Sequence, residues 1–100
     1  MKFTPIPENN EELHLPQLVY CASLGEIEQV KALLEQGIDP NQTDDEGYST
    51  LQAAAENGYL EIVQLLIQQG ADAHYKSEYT ALQLAEMADQ QQIVEYLMNL

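Results

Sequence analysis

The chain nearly repeats itself after 33 residues, and few folds accommodate that. Leu18 through Gly37 can be laid on Leu51 through Gly70. Under this one shift Leu18 falls on Leu51, Ala22 on Ala55, Gly25 on Gly58, Val30 on Val63, Leu33 on Leu66, Leu34 on Ile67 and Gly37 on Gly70. A third copy opens at Tyr79-Thr80-Ala81-Leu82. It places Leu82 on Leu51, Ala85 on Ala54, Ile93-Val94 on Ile62-Val63 and Leu97 on Leu66. Its shift is 31 residues, so two are missing from the preceding connection. A period of this length marks a stack of small units, none of which can cover its own apolar face.

Each copy reads as two short helices. In the middle copy the first runs from about residue 49 to 57, with Leu51, Ala54 and Ala55 on one apolar face and Ser49 as its N-cap. Gly58 ends it, since the residue just past a helix often turns left-handed. The second helix covers about residues 60–69 and is expected to bury Leu60, Val63, Leu66 and Ile67, with Gly70 closing it. All five glycines fall at such boundaries. The run Ala53-Ala54-Ala55 thins the first helix so that neighbours can approach it, while the second supplies the bulky aliphatics. Gly37 through Gly47 and Gly70 through Tyr79 are polar and turn-rich, and are expected to project as hairpin-like fingers.

The segment from Asp44 to Asp72 now shows a pattern: Asp44-x-x-Gly47-x-Ser49-Thr50-Leu51-Gln52-x-Ala54-Ala55, Gly58, Leu60, Ile62-Val63-x-Leu65-Leu66, and Gly70-Ala71-Asp72. It resembles an ankyrin repeat nearly end to end. The Thr-Pro-Leu-His signature of that family is altered to Ser49-Thr50-Leu51-Gln52 and Thr80-Ala81-Leu82-Gln83. The family's histidine hydrogen-bonds neighbouring repeats together, a role the resemblance would pass to the amides of Gln52 and Gln83. The first copy, opening at Pro16-Gln17-Leu18, looks like an N-terminal capping variant. The implied fold is all-α, an ankyrin-type helix-turn-helix stack with finger loops. Its expected layout is an extension over residues 1–12 and a repeat domain over 13–100, with repeats at about 13–43, 44–76 and 77–100.

Ankyrin repeats are protein-binding scaffolds, and the resemblance implies a concave surface made of finger tips and the exposed side of the first helices. Residue by residue that surface takes in Asp45, Glu46 and Tyr48 on the first finger, and Glu56 and Asn57 on the adjoining helix. The flanking repeats add Tyr20 and Ser23 on one side, and Tyr79 and Met87 on the other. Tyrosine offers large contact area at little rotamer cost. The opposing reading is a solvated turn at Asp44-Asp45-Glu46, with Asp44 bonding local amides.

Charge narrows the partner. Seventeen acidic residues against three lysines and no arginine give a net charge of −14. Long-range repulsion opposes nucleic-acid phosphates and anionic lipid surfaces, so a basic protein, inhibited or masked by docking, is the expected complement. The equal alternative is that acidity simply keeps the domain soluble and monomeric. The alternative is self-association through the last helix, around residues 90–100, where Tyr96, Met98 and Leu100 form an edge that either stays exposed or folds back on the core. A monomer is the expectation, a homodimer the alternative. The N-terminus lacks the apolar stretch of a secretory signal, no run approaches the roughly 20 apolar residues of a bilayer span, and Cys21 has no disulfide partner, all pointing to the cytoplasm. The opening methionine and the prolines at 5 and 7 are expected to mark a natural N-terminus, while the partly polar cap of the last helix leaves one piece of a longer repeat array as the alternative.

Chemistry finds little to work with. His14 and His74 lie in different repeats without ligand spacing, and phosphate-loop motifs are absent. Cys21 matches Ala54 and reads as a buried filler. No catalytic residue, cofactor or metal is expected. The parse makes a direct claim on stability: Gly58→Val should cost about 1 kcal/mol or more, because a β-branched residue resists the left-handed geometry. An unchanged urea midpoint would mean that the register is wrong.

Overall fold

The computed structural model describes residues 16–100, so the expectations for residues 1–12, His14 and the start of the first repeat lie outside the described residues. Six helices follow one another: α1 (Gln17–Leu24), α2 (Ile27–Glu35), α3 (Thr50–Glu56), α4 (Leu60–Gln68), α5 (Ala81–Met87) and α6 (Gln91–Met98). They form three antiparallel pairs. The first helix of each pair packs closely on the next, α1 on α3 and α3 on α5, whereas α2, α4 and α6 touch one another only sparingly. Closer spacing along one layer bends the stack toward it, so α1, α3 and α5 line the inner, concave side.

The small residues make that spacing possible. Ala22, Ala54, Ala55 and Ala85 are completely buried, and Cys21 is buried at the position matching Ala54. Behind them Leu18, Val30, Leu51, Ile62, Val63, Leu66 and Ile93 fill one continuous core. In α4 the buried set is Ile62, Val63 and Leu66, while Leu60 and Ile67, expected to be buried, are only partly so. Ile62 and Leu66 stand one turn apart with Val63 between them, so these three share the inward face.

Helices α3 and α5 start in the same way. Ser49 Oγ accepts from the Gln52 amide N–H at 3.0 Å, and Gln52 Oε1 accepts from Ser49 N–H at 2.9 Å, a reciprocal capping box. Thr80 and Gln83 repeat it in α5. The glycines end the helices and do more. Gly25 (φ +79°) and Gly58 (φ +88°) are left-handed, and each lies under a side chain of the next repeat. A Cβ on Gly25 would overlap the Tyr59 ring, and one on Gly58 would come within 2.7 Å of Gln90 Oε1.

Fingers join the repeats. Antiparallel bridges pair Thr43 with Ser49 and Lys76 with Thr80. The spacing across these bridges locates the two missing residues: Thr43 and Lys76 are still 33 apart, Ser49 and Thr80 only 31, so the deletion falls in the second finger's tip. Hydrogen bonds then tie finger to finger and repeat to repeat. Tyr75 Oη donates to Gly47 O at 2.6 Å and Asp72 N–H to Asn41 Oδ1 at 2.8 Å between fingers, and Gln90 Nε2, at the start of α6, donates to Glu56 O at the end of α3 at 3.0 Å.

The Gln52 amide takes the role that the resemblance implies: Nε2 donates to the Tyr79 carbonyl at 2.6 Å while Oε1 closes the cap. Gln83 keeps the cap at 2.9 Å but is exposed, and among the described residues nothing takes its Nε2. Gln52→Leu should therefore cost about 2 kcal/mol, leaving Ser49 N–H unpaired and the Tyr79 carbonyl with only its longer bond from Ser77 N–H, and Gln83→Leu about 1 kcal/mol or less. Urea unfolding of the two variants side by side measures the difference; equal costs would deny Gln52 its inter-repeat role.

Candidate functional site

The first finger is held rigid by its own backbone. Asp44 Oδ1 accepts from Glu46 N–H at 2.9 Å and from Tyr48 N–H at 3.0 Å. Asp44 N–H donates to Tyr48 O at 2.9 Å, and Gly47, left-handed at φ +85°, donates to Asp44 O at 3.1 Å. Asp44 is thus a turn-former, as the local-amide reading held. The same arrangement turns Asp45 and Glu46 outward, both exposed, at the tip. A carboxylate on a fixed turn loses little conformational freedom when it meets a cation.

Tyr48 leaves the finger and reaches the inner helix, where its Oη donates to Glu56 Oε1 at 2.6 Å. Burial, the bond to Glu56 and the nearby Glu56 and Asp44 carboxylates all push the phenol well above its usual range. Tyr48 and Glu56 therefore act as one unit that locks finger to helix. Next to it Asn57 is exposed and ends α3, its Nδ2 donating to Ala53 O at 2.8 Å.

The repeat shifts set the remaining side chains in rows down the inner helices. Ser23, Glu56 and Met87 share one row, and Leu24, Asn57 and Ala88 the next. Tyr20 is 55% exposed, Tyr79 39% and Met87 63%, so large apolar side chains flank the acidic middle from both neighbouring repeats. Ser23 spends its hydroxyl on the Tyr20 carbonyl at 2.7 Å. Leu24, 48% exposed, belongs to this face although sequence reasoning passed over it. The signal was present: the 33-residue shift puts Leu24 on Asn57.

Catalytic arrangements do not emerge from this surface. The Cys21 thiol is pushed up by burial and by the Glu26 charge, away from the thiolate a nucleophile needs. Among the described residues no three His, Cys, Asp or Glu side chains gather to hold a metal, and no helix is long and apolar enough to cross a membrane.

Comparison with known proteins agrees with the architecture. A family model described as ankyrin repeats (3 copies) matches residues 18–100. The chain is 32% identical over 99 residues to the mouse ankyrin repeat and SAM domain-containing protein 6, covering 93% of this chain and 11% of that protein. It is 33% identical over 67 residues to human ankyrin repeat domain-containing protein 39, covering 66% of this chain and 37% of the relative. The mouse histone-lysine N-methyltransferase EHMT1 is 40% identical over 67 residues, which cover 65% of this chain but only 5% of that enzyme. The chain thus spans a small part of each of these relatives.

The Tyr48–Glu56 lock carries a pH signature. A phenol whose pKa is raised by folding stabilises the native state fully below its unfolded value of about 10, and that contribution fades as pH rises beyond it. Tyr48→Phe should cost about 1 kcal/mol near neutral pH. The gap between wild type and variant should narrow or invert at about pH 11. Urea midpoints at the two pH values test this; a constant gap would mean that the hydroxyl is not the group held.

Proposed function

Because the chain belongs to the ankyrin repeat family, whose repeats generally mediate protein–protein interaction, we propose that it docks a basic protein partner across its inner helices and finger tips. The observation that carries this reading is a rigid acidic tip, Asp45-Glu46, braced through Tyr48 and Glu56 and flanked by exposed Tyr20, Leu24, Tyr79 and Met87. Carboxylates around an apolar strip favour a partner that presents lysine or arginine beside aliphatic side chains, and they speed its encounter. Docking of this kind covers the partner's basic surface, so masking or inhibition is the expected consequence. Catalysis has no part in this reading, nor do nucleic acid or membrane surfaces, which a net charge of −14 repels. The working compartment is the cytoplasm and the working unit a monomer, with a lead-in over residues 1–12 and repeats at about 13–43, 44–76 and 77–100.

Self-association through α6 is the second reading, favoured by Met98 and Leu100, which are 65% and 57% exposed, while Tyr96 folds back onto the core. Light scattering at tens of micromolar, a range chosen around ordinary micromolar affinities, separates the two readings.

Asp45→Lys/Glu46→Lys tests the first. Both side chains are exposed, so the fold should survive the change. A basic protein captured from native lysate by the wild type should bind the variant about tenfold more weakly and with less salt dependence. Equal capture by both would remove the inner face from consideration.

A further inference from the structure

The end of the stack formed by α5 and α6 is a second surface with chemistry of its own. Positions related by 31 residues compare the middle repeat, flanked on both sides, with the last one. Gln52 is 1% exposed, and its counterpart Gln83 is exposed. Val63 is fully buried, whereas Val94 is only partly covered. Ile67 is half-buried, whereas Met98 is 65% exposed. These pairs identify what a neighbouring element would cover.

Two substitutions on this face change its character. Where the first two repeats have Ala22 and Ala55, both completely buried, the third has Glu86, exposed. Where they have Gly25 and Gly58, it has Asp89, a left-handed residue at φ 60°. Glu86, Asp89 and Glu95 gather with Gln91 around Val94 in a single shallow depression. Whatever covers that depression must answer these carboxylates, since burying one unpaired is costly.

The chain's own interior supplies the template for the occupant. At the α3–α5 interface the Gln52 amide receives the Tyr79 carbonyl, delivered by the finger that the Lys76–Thr80 bridge holds extended. Gln83 presents the same amide in the same register, its Oε1 already committed to its own cap.

We propose that the α5–α6 end docks an extended cationic segment of another protein. A backbone carbonyl of that segment takes Gln83 Nε2, an apolar side chain covers Val94 and Met98, and lysine or arginine side chains meet Glu86, Asp89 and Glu95. Successive side chains of an extended segment point to opposite faces, so the apolar and cationic residues that meet this surface stand two positions apart. A second copy of this chain is a poor occupant, because two such ends would bring carboxylate against carboxylate on molecules of net charge −14 each.

The test is an NMR titration of the isotopically labelled full chain with two capped octapeptides, one placing valine and lysine in turn at every second position with serine between, the other valine and glutamate in the same places. The lysine peptide should shift the amides of residues 82–98 saturably, and the glutamate peptide should not. Glu86→Ala/Asp89→Gly, which installs the residues of the middle repeat at exposed positions, should weaken the effect by about fivefold. Asp45→Lys/Glu46→Lys should leave it unchanged, which separates this face from the inner one. Shifts confined to residues 44–57, or equal in wild type and Glu86→Ala/Asp89→Gly, would overturn the assignment. Shifts at 82–98 that follow protein concentration without peptide would overturn it in favour of a second copy.

Discussion

Helices of seven to nine residues are below the length at which a helix holds itself together in water, and all six helices here are that short. Each owes its existence to the helix beside it. This dependence explains the alanines on the inner layer, because only a thin helix lets the next come close enough to share its apolar surface. It also explains why the glycines matter beyond their own dihedral angles. Tyr59 and Gln90 lie over Gly25 and Gly58, so the residue that ends one repeat leaves room for the next to seat.

The polar stitches follow from the same dependence. Close packing takes backbone groups away from water, and each then needs a partner. One glutamine side chain serves two of them: Gln52 closes the start of its own helix and receives the carbonyl of the following finger. Tyr75 to Gly47 and Asp72 to Asn41 do likewise between fingers. A scaffold fixed in this way can hold Asp45 and Glu46 on a firm turn without any support from a partner.

Much of this was legible in the residues. The period, the glycine boundaries, the Ser49 cap and the filler role of Cys21 all follow from side-chain types at fixed spacing, which is local information. What escaped was set by neighbours. Gln52 and Gln83 hold the same place in similar capping sequences, yet one is sealed between repeats and the other faces out. Leu24 drew no notice in the sequence, whereas its register with Asn57 puts it on the open face. Leu60 and Ile67 were expected to share the core of α4, and Ile62 took that place because the inward direction depends on how α4 rolls against its neighbours. The roles of Asp45, Glu46, Tyr48 and the other surface residues were reached through the family resemblance, and composition alone would not have singled them out.

The unequal fingers give the inner face a direction. Five residues separate the bridged pair of the first finger and only three that of the second, so the first finger is longer by two and carries the paired acids Asp45 and Glu46. A partner docked across the inner face as proposed would meet this asymmetry, approaching the paired acids from the α5 side and leaving them on the α1 side. If the inner face docks a partner segment as proposed, that segment and its reversed sequence would present identical composition yet would not fit equally, so the missing dipeptide would let a repetitive scaffold read chain polarity.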